Sequence, residues 1–432
     1  MNIRKIVKKL IPRGLFRAIE PYGHLAEAFI FNLINGFPGR RLKVIGVTGT
    51  NGKTSTAFMI HRMLQESGYK TGLLTTVAWG VGDEIKPQIH HYTNVPVPEF
   101  MQRLKVMRAA KVDYLVMEIT SQALAQNRAF GVPFSVAVMT NVTHEHLDYH
   151  GTFERYRDAK RKLFKRANRN RRGLRVGIVN AEDASAELFA GDVKNPILYG
   201  VEKGDLRASH VKLTPSGSSY TVSSGNESYP VSIKLPGSFN VYNSLAAIGV
   251  GRAIGLTSDQ ITKGLAALEG VEGRMTRVDE GQDFDIIVDY AHTPDSFEKL
   301  FKDLKPVVKG KLIVMFGSAG RRDEAKRPVQ GELAGKYCDE VILTEEDDRD
   351  IDGAKIMNEI AAGAEKVGKT REKDLFLVHD RTEAIRFTLG QAKKGDTVLL
   401  LGKGHEKTIE REDREDPWDE IATTKAALKQ GS

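Results

Sequence analysis

The stretch Gly46-Val47-Thr48-Gly49-Thr50-Asn51-Gly52-Lys53-Thr54 decides how the rest of the chain is read. An apolar run at 42–47 precedes it, and a helical pattern with apolar Ala57, Phe58, Ile60 and Met63 follows. Strand, glycine-rich turn, Lys-Thr and helix form the arrangement that cradles nucleotide phosphates. Its glycines turn backbone N–H groups inward, Lys53 reaches the β/γ-phosphates, and Thr54 holds Mg²⁺. The strict spacing of such loops asks for glycine at 47, where Val47 stands, and the extra turn glycine is Gly49. An ordinary glycine-rich βα turn is the competing reading. ATP or a similar nucleotide is the expected ligand.

At 432 residues the chain is long enough for two or three domains. A hydrophobic content of 41% fits a globular protein, and so does the mean hydropathy of −0.33. One cysteine, Cys338, excludes a disulfide framework or a cysteine-based zinc ribbon and suits a reducing compartment. The net charge of +8 is unevenly placed: residues 1–43 hold nine Lys/Arg against Glu20 and Glu27, which leaves the remainder near neutral. The pI of 9.2 therefore reports a basic N-terminal arm, and no nucleic-acid partner is expected.

Within that arm, Ile3, Ile6, Val7, Leu10 and Ile11 recur at helical spacing among Arg4, Lys5, Lys8 and Lys9, and Pro12 limits the run. The apolar run at 25–34 is too short to span a bilayer. No signal-like layout is present, so a cytoplasmic location is expected. Two arrangements follow: an interfacial arm, residues 1–20, touching anionic lipid, or packing of both segments on the next domain. From 42 to 271 strand and helix signals alternate, as in a parallel sheet with crossover helices, while 206–235 reads as a small antiparallel insertion. Beyond Gly273 the alternation restarts. The fold class expected is α/β. A basic arm (1–42) precedes a central P-loop ATPase-like domain with a parallel sheet (43–272), and a C-terminal Rossmann-like α/β domain (273–432) follows.

Glu118 ends an apolar strand pattern, on the ligand side of a parallel sheet, where it suits a Mg²⁺ ligand; a solvated strand end is the alternative. The next strand leads into Thr140-Asn141-Val142-Thr143-His144-Glu145-His146-Leu147-Asp148-Tyr149-His150. This histidine-rich loop has no second cluster to complete a zinc pattern. A nucleotide-bound divalent ion with one imidazole among oxygen ligands fits better. Lys160, on the helix that begins near Phe153, reads by itself as a surface lysine.

Several motifs resemble the Mur ligases: G-T-N-G-K-T-S at 49–55, E-I-T-S-Q-A-L-A-Q-N-R at 118–128 and T-N-V-T-H-E-H-L-D-Y-H-G-T-F at 140–153. L-P-G-S-F-N-V-Y-N at 235–243, G-R-M at 273–275 and V-D-Y-A-H-T-P-D at 288–295 continue the series in order. G-S-A-G-R-R-D-E-A-K-R-P at 317–328 and G-K-G-H-E at 402–406 are similar to the MurE type, which adds the third residue of the stem peptide. The resemblance implies ATP-dependent amide-bond formation, in which ATP phosphorylates a peptide carboxylate and an amino acid's amine attacks the acyl phosphate. ATP and Mg²⁺ are the implied cofactors.

By resemblance, Gly49, Thr50, Asn51, Gly52, Lys53 and Thr54 hold phosphates, while Thr54, Glu118 and His146 hold metal. Lys160 matches the lysine such ligases carbamylate into a metal ligand. Asn240 and Asn243 match adenine-side asparagines, and Arg274, Asp289 and His292 match C-terminal groups that close on ATP. Lys326 meets the transferred phosphate. Lys53, Lys160, Lys326 and His146 are thus the implied catalytic set. Thr120 and Arg128 match muramyl-peptide contacts. The usual Thr-Thr-Pro appears as Asn94-Val95-Pro96, with Thr93 as a replacement hydroxyl. Gln122 stands for a common histidine and Glu145 for an aspartate.

For the incoming amino acid, Arg322, Arg349, Gly402 and Glu406 match diaminopimelate-contacting positions. Asp347 replaces an amide donor with an acceptor, which leaves lysine or ornithine open. The family carries about a hundred residues before the phosphate loop, forming a UDP-gripping domain; here about 40 unrelated residues precede it. The expected partners are a muramyl-type or similar acceptor and an amino acid. A UDP-free or lipid-linked acceptor, a folate or poly-amino-acid acceptor, and a degenerate ATP-binding partner are the alternatives.

Overall fold

The computed structural model describes residues 13–88, 93–143, 145, 147–214 and 216–430. The chain divides into two compact units. One comprises Met1–His210, Tyr220–Val231 and Tyr242–Leu268; the other comprises Val211–Ser219, Ser232–Val241 and Glu269–Ser432.

The first unit is built around β1 (Lys43–Thr48), flanked in parallel by β5 (Tyr114–Glu118) and β6 (Phe134–Met139). Beyond β5 lie β2 (Thr71–Leu74), β3 (Ala78–Val81) and β4 (Glu84–Pro87); beyond β6 lie β7 (Val176–Asn180) and β8 (Asn195–Gly200). β1, β5, β6 and β7 are almost wholly buried. Strands covered on both faces carry continuous apolar runs rather than alternation, which is why these runs were readable. β9 (Leu206–Thr214), β10 (Gly217–Ser224) and β11 (Glu227–Ile233) extend the same sheet. They lie where a small antiparallel insertion was expected; β8 pairs with the start of β9 in parallel, Tyr199 opposite Leu206, so the segment continues the edge of the sheet.

Helices α2 (Lys53–Glu66), α3 (Val97–Ala109) and α6 (Phe153–Arg169) connect the central strands; α4 (Ser121–Ala125) and α5 (Leu147–His150) are short turns between them. Gly46 lets α6 approach: a Cβ there would stand 2.7 Å from a Leu163 methyl and 2.8 Å from the Phe134 ring. α1 (Arg13–Ile34) leans on this unit through buried Ala28 and Asn32. Residues 3–11, expected as a basic helix, lie outside the described residues. Among those described, no helix is long and apolar enough to cross a membrane.

The second unit holds a six-stranded sheet. Its order is β12 (Thr276–Arg277), β13 (Asp285–Asp289), β17 (Thr397–Leu401), β14 (Leu312–Phe316), β15 (Glu340–Leu343), β16 (Leu375–Leu377). Only the β12–β13 pair is antiparallel. β17 returns between β13 and β14, which makes a switch point. Loops leaving the carboxyl ends of such strands line the ligand crevice of open α/β sheets. Here those loops begin at Asp289, Gly317, Thr344 and Gly402.

Candidate functional site

In the first unit the phosphate loop leaves β1 and enters α2. Gly52 caps the helix at φ 81°, and a Cβ there would overlap the Asn243 carboxamide. A Cβ at Gly49 would overlap the Thr140 hydroxyl. Glycine is required at both by approach, so the shifted glycine pattern suits its surroundings. The segment after β6 pins the loop. Asn51 N donates to Asn141 Oδ1 at 2.9 Å, Asn141 Nδ2 and the Thr140 hydroxyl donate to Asn51 O at 3.1 and 2.6 Å, and Thr143 N donates to the Thr50 hydroxyl at 2.9 Å. The Thr50 hydroxyl also lies 2.9 Å from the Tyr156 hydroxyl on α6.

Three groups of opposite character converge there. Lys53 Nζ donates to Gly49 O and Thr50 O at 3.1 and 2.7 Å, folded back along its own loop. The buried Thr54 hydroxyl donates to Glu118 Oε2 at 2.9 Å, and the same oxygen accepts Thr76 N at 3.1 Å. Lys160 is fully buried, donates to Gly49 O at 2.6 Å and sits 4.4 Å from the centre of the Tyr156 ring. Burial, then the charge of Lys53, holds its ammonium well below the usual lysine range, against the opposing pull of Glu145 and Glu118. Lys160, which by residue pattern alone reads as a surface lysine, is an interior amine. His146 lies outside the described residues.

The acceptor candidates are coupled to this end of β5. Asn94 Nδ2 donates to Glu118 O at 3.0 Å, and Thr120 gives both N–H and hydroxyl to Asn94 Oδ1 at 3.0 Å. Arg128 donates to Asn94 O and Val95 O, and Thr93 accepts from the Thr76 hydroxyl at 2.8 Å. The departure Asn94-Val95 thus forms a cross-braced turn held by Thr120, Arg128 and the end of β5.

In the second unit, Asp289 closes β13 and accepts Met275 N and Ala291 N at 2.7 and 2.8 Å. Burial raises its pKa, and Arg274 opposes that. The Arg274 guanidinium lies 4.5 Å from the centre of the Tyr290 ring. Lys326, first in α11 (Lys326–Tyr337), donates to His292 O at 2.9 Å, and His292 Nδ1 lies 2.8 Å from Tyr290 O. Asn240 Nδ2 donates to Pro236 O at 2.7 Å. Arg322 is exposed.

Beside β15 and β17, Asp347, Arg349, Gly402 and Glu406, expected at the incoming amino acid, gather around Lys403, which the sequence did not single out. Fully buried Lys403 donates to Asp347 Oδ1 at 2.8 Å and to Glu406 Oε2 at 2.6 Å. Burial alone would lower its pKa, but the two carboxylates raise it. The charge that Asp347 introduces is therefore met from within. Tyr290 donates its hydroxyl to Glu406 Oε1 at 3.0 Å. Glu346 is buried, its Oε2 has no hydrogen-bond partner among the described residues, and Gly402 (φ 102°) leaves 2.7 Å between that oxygen and a would-be Cβ. Burial, opposed by Lys326, raises the Glu346 pKa. Arg349, a left-handed residue at φ 56°, is held by Glu410 at 2.7 Å and by Gly320 O.

The donor sets fit the implied cofactors. Thr54 and Glu118 are hard oxygen ligands suited to Mg²⁺, and the glycine-lined helix start with Lys53 suits phosphates.

A family model for the Mur ligase middle domain matches residues 47–251, and one for the Mur ligase glutamate ligase domain matches 273–404. The UDP-N-acetylmuramyl-tripeptide synthetase of Roseiflexus sp. (strain RS-1) is 42% identical over 420 residues, covering 94% of this chain and 82% of its own. The UDP-N-acetylmuramoyl-L-alanyl-D-glutamate--2,6-diaminopimelate ligase of Geobacillus kaustophilus is 40% identical over 411 residues, with the same coverages of 94% and 82%. A solved 2,6-diaminopimelate ligase structure of that description aligns with TM-score 0.64 and 29% identity, over 90% of this chain and 79% of that one. A Mycobacterium tuberculosis folylpolyglutamate synthase complexed with ADP aligns at TM-score 0.72 and 16% identity, over 94% of each chain, a likeness of fold alone. The chain belongs to the Mur ligase family, whose members are ATP-dependent, ADP-forming ligases.

Proposed function

We propose that this chain joins a diamino acid to the terminal carboxylate of a muramyl dipeptide, with residues 43–272 holding the nucleotide and acceptor and 273–432 the incoming amino acid. The observation that carries this reading is the convergence of Lys53, Thr54, Glu118 and buried Lys160 on one loop. The acceptor and amino-acid classes follow the printed activities of the relatives.

When bound, MgATP supplies the phosphoryl group that turns the acceptor carboxylate into an acyl phosphate. The chain's own residues do the rest. Lys53 and Lys326 offset the negative charge gathered when phosphate meets carboxylate. Thr54, Glu118 and His146 would hold the metal, which would supply charge neutralisation at the phosphates. Lys160, whose burial disfavours the ammonium form, would react as the free amine with CO₂ to give a carbamate anion, releasing one proton to solvent, and a carbamate oxygen would join the metal ligands. Asn240 and Asn243 lie on the adenine side, and Arg274, Asp289 and His292 serve the ribose and phosphates. Thr93, Asn94, Thr120 and Arg128 orient the acceptor.

The Glu346 Oε2, without a hydrogen-bond partner among the described residues and beside Lys403-bridged Asp347 and Glu406, supports a basic amino acid whose ammonium is accepted there. Arg349 and Arg322 serve its carboxylates, and Gly402 leaves room for its backbone. The test is ADP release with UDP-linked and with bare muramyl dipeptide, across diaminopimelate, lysine, ornithine and neutral amino acids. Release that requires both an acceptor and a diamino acid supports the reading. Release with neither, or with no acceptor offered, overturns it.

A further inference from the structure

The outward side of α1 carries an unbroken apolar stripe. Ile19, Tyr22, Phe29, Ile30, Leu33 and Ile34 are 48% to 73% exposed, and exposed Gly23 and Ala26 fill the same helical spacing. The inward side carries the buried Ala28 and Asn32. Six large apolar side chains on one helix face are more than scattered surface exposure.

α1 is tied to the loop at 127–132. Asn32 Nδ2 donates to Phe130 O at 2.9 Å, Gly131 packs against the Asn32 carboxamide, and the Phe29 and Phe130 rings lie 6.1 Å apart. The same loop is gripped from α6, where Arg166 donates to Asn127 Oδ1 at 2.7 Å and to Ala129 O at 3.4 Å. Arg166 belongs to the most cationic run of the chain: residues 155–175 hold eleven Lys/Arg against Asp158 alone. Lys160 turns inward, and Arg161 is neutralised by Asp192 at 2.7 and 3.0 Å. Arg155, Lys162, Lys165, Arg169, Arg171 and Arg172 remain exposed. The cations press on one another, since burial and Arg169 depress the Arg166 pKa while burial and Arg166 depress that of Lys162. The near-neutral total for the body of the chain conceals this ridge.

We propose that the α1 stripe and the α6 cationic ridge, joined through the loop at 127–132, form a docking surface for an anionic lipid bilayer. α1 lies in the interface with its apolar face toward the acyl chains, and the ridge meets the headgroups. An apolar layer beneath a plane of anions is what this pairing complements. A nucleic acid would satisfy the ridge and leave the stripe in water. Spanning is not involved: among the described residues no helix is long and apolar enough to cross a membrane, and Glu20, His24 and Glu27 break the apolar run of α1. The inference is independent of the ligase reading.

The test is sedimentation of the full chain with phosphatidylcholine vesicles, with and without phosphatidylglycerol. Binding is expected only with phosphatidylglycerol and is expected to weaken as salt rises. The pairs Phe29→Glu with Leu33→Glu, and Arg169→Glu with Arg172→Glu, each weaken it by about tenfold or more at an unchanged melting midpoint. A Leu33→Cys chain labelled with an environment-sensitive dye blue-shifts on the anionic vesicles, which reads the contact without a disruptive substitution. Equal binding to both vesicles, no binding, no dye shift, or binding unaltered in both variant pairs overturns the proposal. So does a dimer in light scattering that the Phe29→Glu, Leu33→Glu pair abolishes, since the stripe is then covered by a second copy.

Discussion

The Thr54 hydroxyl donates a 2.9 Å hydrogen bond to Glu118 Oε2, joining the first turn of α2 to the carboxyl end of β5. Sixty-four positions separate the two residues. Parallel pairing of β1 with β5, Val47 opposite Glu118, brings them together. The pair presents oxygen ligands beside a helix N-terminus, where phosphate and Mg²⁺ are both favoured.

Glu118→Gln keeps the shape and the bond to Thr54 while removing the charge. Turnover is expected to fall about a hundredfold or more, with a higher Mg²⁺ requirement, and Thr54→Ser is expected to stay within a few-fold of wild type. Magnesium titrations of ADP release check both.

Lys53→Ala is expected to lower ADP release by about a thousandfold, because preorganised charge at a phosphoryl group contributes on that scale. Initial-rate measurements at saturating ATP check it.

Lys160 separates activity from stability. Lys160→Met removes a buried amine whose protonation is costly, so the melting midpoint is expected to hold or rise while turnover is lost. Lys160→Ala is expected to regain part of its turnover with added short carboxylic acids, which replace a carbamate oxygen. Wild-type turnover is expected to rise with bicarbonate.

His61 sets an acid limit on the first unit. Burial lowers its pKa from 6.5 to about 4, against a hydrogen bond donated to the Thr71 backbone and the charge of Asp83. Below pH 6.5 the unfolded chain takes up the proton and the folded chain does not, so stability falls as pH drops from 6.5 to 4 and is level above that window. The loss amounts to about 3 kcal/mol. Urea unfolding across this range checks it, and His61→Leu is expected to remove that part of the slope.

Lys403→Met leaves buried Asp347 and partly buried Glu406 without their shared cation. A loss of about 3–5 kcal/mol is expected in the unfolding of the second unit. KM for the amino acid is expected to rise more than kcat falls.

The strands and the loop at 46–54 were legible because doubly covered strands are continuous apolar runs and the loop chemistry is local. Lys160 was not, by residue pattern alone. It stands in Arg157-Asp158-Ala159-Lys160-Arg161-Lys162, which reads as a solvated face, and only the register of α6 against β1 turns it inward. Thr140 and Asn141 were quoted within a motif, but their hold on Asn51 depends on β6 lying beside β1. Lys403 sits between two glycines, and its two carboxylate partners come from different loops. The cationic ridge was lost in a whole-chain sum. The edge strands β9 to β11 were readable as strands, but which strand they would join was not.

The central claim is that ATP activates the acceptor's carboxylate. Muramyl dipeptide labelled with ¹⁸O in its terminal carboxylate, turned over with MgATP and a diamino acid, is predicted to pass one ¹⁸O into each inorganic phosphate released. Phosphate released without the label would contradict the account.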